Sequence, residues 1–198
     1  MLPQNVELRE GSIEDVSELA AISIAFRVER VYDVHAVDAS VADGPGRFRL
    51  SERTVDVPYV KDYDRINGEG PSQWASRHDI RQWGFLQARS SGQLLGGAVV
   101  AFRTPELLLL EGRSDLAALW DIRVAPDVRG QGLGSMLFRA AEEWARLRDC
   151  VTLRVETQNV NVPACRFYQR QGCVLSRVNP GAYLLLPDEV QLIWSKEL

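Results

Sequence analysis

One segment limits the folds open to this chain more than any other. Val124-Ala-Pro-Asp-Val-Arg129-Gly130-Gln131-Gly132-Leu133-Gly134-Ser135 runs from the end of a strand pattern, through alternate glycines, into an amphipathic helix. From about Gly132 to Asp149 the residues Leu133, Met136, Leu137, Ala140, Ala141, Trp144 and Leu147 recur at helical spacing, which gives one apolar face. The first N–H groups of a helix have no intrahelical acceptor and carry a partial positive charge. Glycines let an anion approach those amides without Cβ interference, so the segment reads as a cradle for a diphosphate. A tight turn that merely feeds a helix is the simpler alternative. Two familiar nucleotide loops fail the comparison. A P-loop needs Gly-Lys-Ser/Thr where this chain has Gly134-Ser135-Met136, and a dinucleotide fingerprint needs GxGxxG where Gly130, Gly132 and Gly134 are spaced GxGxG.

The surroundings suit a layered α/β or α+β domain. Val6–Arg9 reads as a strand, and Ser12 as a helix N-cap with Asp15 placed to reach back. Apolar residues then recur at helical spacing to about Phe26. Trp83–Arg89, a Ser91-Gly92 turn and Gly96–Phe102 read as a hairpin. Ala117–Val124 is a strand with Leu119, Asp121 and Arg123 on one side and Trp120, Ile122 and Val124 on the other. Val151–Thr157 is another strand. Val162–Gln171 is a helix with Pro163 in its first turn and Gly172 just past its end. Val174–Val178, Ala182–Leu186 and Glu189–Glu197 read as closing strands. The stretch of about 32–81 is expected to be a loop-rich insertion with short elements, since Asp43-Gly44-Pro45-Gly46 and Asn67-Gly68-Glu69-Gly70-Pro71 are turn signals, and with a strand around Phe48–Val57. A chain of 198 residues with 45% hydrophobic composition can bury one sizeable core, so residues 1–198 are read as a single domain with that insertion.

Composition closes off several function classes. A net charge of −4 argues against nucleic acid as a partner. Cys150, Cys165 and Cys173 lack CxxC spacing, and His35 and His78 lack a companion motif, so neither a disulfide framework nor a metal centre is expected. No signal peptide opens the chain, and apolar runs such as Leu107–Leu110 fall far short of the roughly 20 residues a membrane helix needs. No membrane partner and a cytoplasmic location are the resulting expectations.

The glycine segment also carries a resemblance. Arg129-Gly130-Gln131-Gly132-Leu133-Gly134 resembles the R/Q-x-x-G-x-G/A motif of the GNAT acyltransferase superfamily, which grips the pyrophosphate of acetyl coenzyme A. Asn161-Val-Pro-Ala164-Cys-Arg-Phe167-Tyr168-Gln-Arg-Gln-Gly172 is similar to that family's N-x-x-A-x-x-F-Y-x-x-x-G segment, with Cys173 where the family commonly has Phe. Trp120-Asp121, Glu156-Thr157-Gln158, Pro58-Tyr59-Val60-Lys61-Asp62-Tyr63 and the run Glu189 to Trp194 are similar to streptothricin acetyltransferases. The resemblance implies a mixed, mostly antiparallel central sheet with helices on both faces and a V-shaped gap between its two central strands. Family members are often dimers, so a homodimer is a further expectation.

What the resemblance implies about chemistry can be set against what the reaction needs. An aliphatic amine, with a pKa of about 10.4, must lose a proton before it attacks a thioester. Glu156, five residues before Asn161, matches the base-like glutamate of ribosomal-protein alanine acetyltransferases, and is expected to act as general base, through water. Asp121 would hold the cationic acceptor or share the base role. For either carboxylate, a salt bridge to Arg123 or Arg154 is the plainer reading. A backbone N–H of Ile122, Arg123 or Val124 would face the thioester carbonyl, along an edge that pairs with the pantetheine arm. Tyr168 is the expected acid for the departing thiolate, with Phe167 read as core. Asn161 would contact pantetheine or cap its helix, beside Ala164. Tyr59, Tyr63 and Trp120 could wall the acceptor pocket, since aromatic faces suit cations, though ordinary packing is the commoner role.

The expected function is transfer of an acetyl group from acetyl coenzyme A to a primary amine of a small polar molecule. A streptothricin-like or aminoglycoside-like antibiotic is the first acceptor to consider, with antibiotic resistance as the consequence. A protein N-terminal or lysine acetyltransferase is the nearest rival, and a non-catalytic acetyl coenzyme A-binding regulatory domain is the rival of another class.

Overall fold

The computed structural model describes residues 3, 5–36, 48–66 and 70–198. Its strands are β1 (Glu7–Glu10), β2 (Phe26–Ala36), β3 (Phe48–Lys61), β4 (Gly84–Ser90), β5 (Gln93–Phe102), β6 (Leu116–Val124), β7 (Thr152–Gln158), β8 (Val174–Pro180) and β9 (Val190–Glu197). Its helices are α1 (Val16–Ala20), α2 (Trp74–Arg77), α3 (Leu133–Arg146) and α4 (Val162–Arg170). The chain divides into two units. One comprises Met1–Ala25, Asp62–Arg154 and Glu197–Leu198, and the other Phe26–Lys61 and Val155–Lys196.

In the first unit, β1, β4, β5 and β6 lie side by side in that order and every pairing is antiparallel. β5 is apolar on both faces, with Ala98, Val99, Val100 and Ala101 fully buried. A strand hidden on both sides needs a layer on each. α3 supplies one by packing on β4, β5 and β6, while α1 packs on β5 from the other. The glycine pair Gly96-Gly97 marks both contacts. A Cβ on Gly96 would lie 3.2 Å from Leu137 of α3, and one on Gly97 would lie 2.8 Å from Leu19 of α1. The core on the α1 side gathers Leu19, Trp74, Trp83, Phe85, Val99 and Leu116.

Two readings of this unit need correction. The first helix stops at Ala20 and does not continue to Phe26. Its start is as expected, because Ser12 accepts from Glu14 N–H and Asp15 accepts from Ser12 N–H in a capping box. The simple alternation along β6 is also broken. Val99 pairs with Asp121 while Val100 pairs with Leu119, so Trp120 is an extra residue in the strand. Such a bulge reverses the side-chain phase, and Leu119 and Asp121 therefore do not share a face.

In the second unit, the strand expected around Phe48–Val57 is present as β3 and runs on to Lys61. β2, which was not expected, forms a long antiparallel pair with it where a loop-rich insertion was read. Arg30 pairs with Glu52 and Arg53 with Asp33 diagonally across the two strands. The charges that disguised the strand pattern in the sequence are cross-strand pairs on its surface. Val28 and Val31 carry the buried side, against Val160. Residues 43–46 and 67–69, which held the strongest turn signals, lie outside the described residues. β7, which begins in the first unit, neighbours β9, and β9 pairs antiparallel with β8. Residues 182–186, read as a strand, form turns between β8 and β9. The fold is mixed α/β with predominantly antiparallel sheet pairing. Among the described residues, no helix is long and apolar enough to cross a membrane.

Candidate active site

The glycine segment of the first unit keeps its expected form. β6 ends at Val124, Pro126–Val128 makes a single 3-10 turn, and α3 opens at Leu133. Gly130 and Gly132 take φ of +74° and +93°, a left-handed region that penalises any Cβ. Built Cβ atoms at these two positions meet nothing within 4 Å, so the backbone there is open to a ligand. Gly132 is the N-cap of α3 and provides no capping side chain. Met136 N–H closes the first helical bond onto Gly132 C=O. The buried Leu133 side chain anchors the turn from below. Arg129 folds back, with Nε donating to Val124 C=O at 2.9 Å and its guanidinium donating to Ser23 C=O. Gln131 Nε2 donates to Asp127 C=O at 3.1 Å, while Gln131 Oε1 is buried without a partner among the described residues. Gly134 and Ser135 lie in the first turn of α3. A helix of 14 residues whose open, uncapped end follows two left-handed glycines suits a diphosphate group.

Asp121, on β6, is committed elsewhere. It accepts from Arg123 Nε and Nη2, both at 2.9 Å. Arg123 Nη1 and Nη2 also donate to Asp64 at 2.6 and 2.8 Å, and Nη1 donates to Ile22 C=O at 3.1 Å. The fork of five N–H donors is thereby fully used. Burial pushes the Asp121 carboxyl above its ordinary range, and the adjacent Arg123 opposes that shift. The salt-bridge reading of Asp121 is what the geometry gives. Ile122 pairs with Ala98 and Val124 with Gly96 on β5. Trp120, at the bulge, meets His78 at 5.4 Å and Trp83 at 5.3 Å between ring centroids. Tyr63 opens a 3-10 turn that Asp62 caps, next to Asp64.

Glu156 sits on β7 in the second unit. Its Oε1 accepts from the Tyr183 hydroxyl at 2.6 Å and its Oε2 from Gln191 Nε2 at 2.8 Å. Gln158 Nε2 donates to the same Tyr183 oxygen at 3.1 Å. Burial, then the Glu156 carboxylate, push the Tyr183 phenol well above its ordinary range. The alternative partner considered for Glu156 is used otherwise, since Arg154 pairs with Glu111 at 2.9 Å and donates to Leu109 C=O. Asn161 caps α4, its Oδ1 accepting from Ala164 N–H at 3.2 Å. Tyr168 of α4 is only 5% exposed, while Phe167, expected to be core, is half-buried. Tyr59 is 41% exposed on β3, and its phenol is pushed up first by burial and then by Glu189 and Asp188. Glu189 itself is buried and paired with Lys61.

The sequence reading missed Asp64, Tyr183 and Gln191. Asp64 lies in the stretch taken for loops, and Tyr183 in a segment read as a strand. Only Gln191 lay inside a run already singled out, Glu189 to Trp194.

The chain matches the Acetyltransferase (GNAT) family over residues 55–173. Among curated proteins, a streptothricin acetyltransferase of Streptomyces lavendulae is 29% identical over 178 residues, covering 89% of this chain and 86% of that protein. Among solved structures, a nourseothricin acetyltransferase is similar with a TM-score of 0.72 and 27% identity, covering 97% of this chain and 98% of the other. A Bacillus anthracis protein solved in complex with acetyl coenzyme A shares the fold, with a TM-score of 0.74, 22% identity and coverage of 98% and 100%.

Proposed function

We propose that this chain, which belongs to the acetyltransferase (GNAT) family, acetylates a primary amine of a small polar molecule, with a streptothricin-like antibiotic as the first acceptor to consider. It is an acetyl coenzyme A-dependent N-acetyltransferase, and we read residues 1–198 as one such domain. Acetyl coenzyme A supplies the acetyl group as an activated thioester. The acceptor assignment draws support from the relatives named above, a streptothricin acetyltransferase and a nourseothricin acetyltransferase.

In this reading each residue has one task. The amides of residues 129–135 would hold the diphosphate. A backbone N–H of the Ile122–Val124 stretch, from the edge of β6 turned away from β5, would face the thioester carbonyl while that edge pairs with the pantetheine arm. Glu156 takes the proton from the amine, through water. Both of its oxygens accept hydrogen bonds, the behaviour of an ionised carboxylate able to receive a proton. Tyr168 donates a proton to the departing thiolate. Asp121 contributes charge through its cluster. Arg123 is shared between the two carboxylates Asp64 and Asp121, which brings acidic groups together on this unit. Trp120, Tyr63 and Tyr59 each offer an aromatic face of the kind that suits a cationic acceptor.

The left-handed Gly130 and Gly132, whose Cβ positions look onto open space beside the uncapped start of α3, are the observation that carries this proposal. It is tested by following free thiol release from acetyl coenzyme A over streptothricin, aminoglycosides, polyamines and peptide N-termini. Turnover confined to small amines is expected, and turnover confined to peptides would replace the acceptor class. Gly132→Asp sets a carboxylate in the cradle and should abolish acetyl coenzyme A binding in calorimetry. Unchanged affinity would refute the cradle.

A further inference from the structure

Glu156 is surrounded by side chains that have no assigned role. We propose that Tyr183 is a positioning residue that fixes the Glu156 carboxylate for proton transfer, an inference that rests on the base role proposed for Glu156.

The argument starts with the direction of each hydrogen bond. Gln158 Nε2 can only donate, so the Tyr183 oxygen accepts from it at 3.1 Å. The hydroxyl proton is then directed to Glu156 Oε1 at 2.6 Å. Gln191 Nε2, from β9, donates to Oε2 at 2.8 Å. With one donor on each oxygen, rotation of the carboxylate about its terminal torsion is resisted on both sides. The two bonds reach different oxygens from different directions, and together they set the plane of the carboxylate. The elevated phenol keeps Tyr183 a donor throughout the working pH range.

The segment that carries Tyr183 is held in place for this purpose. Leu186 N–H donates to Tyr183 C=O and Glu189 N–H to Leu186 C=O, at 3.1 and 3.0 Å. Glu189, which faces Tyr183, is tied to Lys61. Packing does not explain the segment, because Leu184 and Leu185 are 94% and 82% exposed. What it delivers inward is the phenol.

Four proteins test the idea: the wild type, Tyr183→Phe, Glu156→Gln and the double variant, assayed with streptothricin as the probe amine. Tyr183→Phe should lower kcat by roughly 10- to 100-fold, the worth of a hydrogen bond to a charged group, with KM for acetyl coenzyme A unchanged. In the Glu156→Gln background the same change should cost nothing more, since a residue that acts through Glu156 has nothing left to position. Gln191→Met, which removes the other donor, should behave likewise. A crystal structure of Tyr183→Phe should show Glu156 in more than one rotamer. A single rotamer identical to the wild type, a wild-type kcat, or losses that multiply in the double variant would overturn the proposal. So would an unchanged kcat with a lower KM for the amine, which would make Tyr183 a mere occupant of the acceptor's place. Glu156→Gln at the wild-type rate would instead overturn the base role itself, and the positioning role with it.

Discussion

Replacing Arg123 with methionine would leave Asp64 and Asp121 facing each other with no cation between them. Arg123 is 2% exposed, and all of its donors are used within the chain. Breaking a buried pair on one side costs about 3–5 kcal/mol because the remaining charge is buried without compensation. Urea denaturation of Arg123→Met should show that loss as a lowered midpoint. Arg123→Lys, which keeps the charge but not the fork, should fall between. A midpoint equal to the wild type would mean that the cluster is solvated. Residue-scale reasoning from sequence succeeded here in part. Asp121 and Arg123 are two apart on one strand, and so are Arg154 and Glu156, which made both pairs equally plausible. The first pair forms. In the second, Arg154 is claimed by Glu111 and Glu156 by Tyr183 and Gln191. The local pattern is identical in the two cases, and residues distant in sequence decide between them.

At the scale of elements, the cap of α4 offers the most direct measurement. Asn161 Oδ1 satisfies the Ala164 N–H at the helix start, and Asn161→Ala should cost about 1 kcal/mol in a denaturant titration. Asn161→Asp, which retains the acceptor, should leave the midpoint near its original value. This cap was legible because Asn followed by Pro two residues later is a local signal. The capping box at Ser12 was legible for the same reason. The end of that helix was not, since Ser23 and Phe26 continue the helical spacing although Phe26 already opens β2. β2 was hidden by charged residues whose meaning appears only when it pairs with β3. The β6 bulge at Trp120 is equally invisible in one dimension, because it is defined by the register of β5 against β6. Its consequence for Asp121 is large: one extra residue moves the side chain to the other face.

At the scale of the whole molecule, ligand linkage gives a test that does not need turnover. A ligand that binds only the folded state, at 100 times its Kd, adds about 2.7 kcal/mol of stability. For a chain of 198 residues this corresponds to a rise in Tm of roughly 5–10 °C. Scanning calorimetry with and without acetyl coenzyme A should show that rise, and Gly132→Asp should remove it. An unmoved transition in the wild type would contradict donor binding. The sequence by itself determined the class of the fold, the glycine turn and its helix, the amphipathic faces and the two family motifs. Each of these depends on contacts within a few residues, on periodicity, or on backbone conformations that only certain residues tolerate. The tertiary structure alone decided which carboxylate is spent on Arg123, which is held by Tyr183 and Gln191, and that residues 26–36 form a strand. Those outcomes depend on which distant segment the folded chain brings within hydrogen-bonding distance, and chain spacing does not encode that competition.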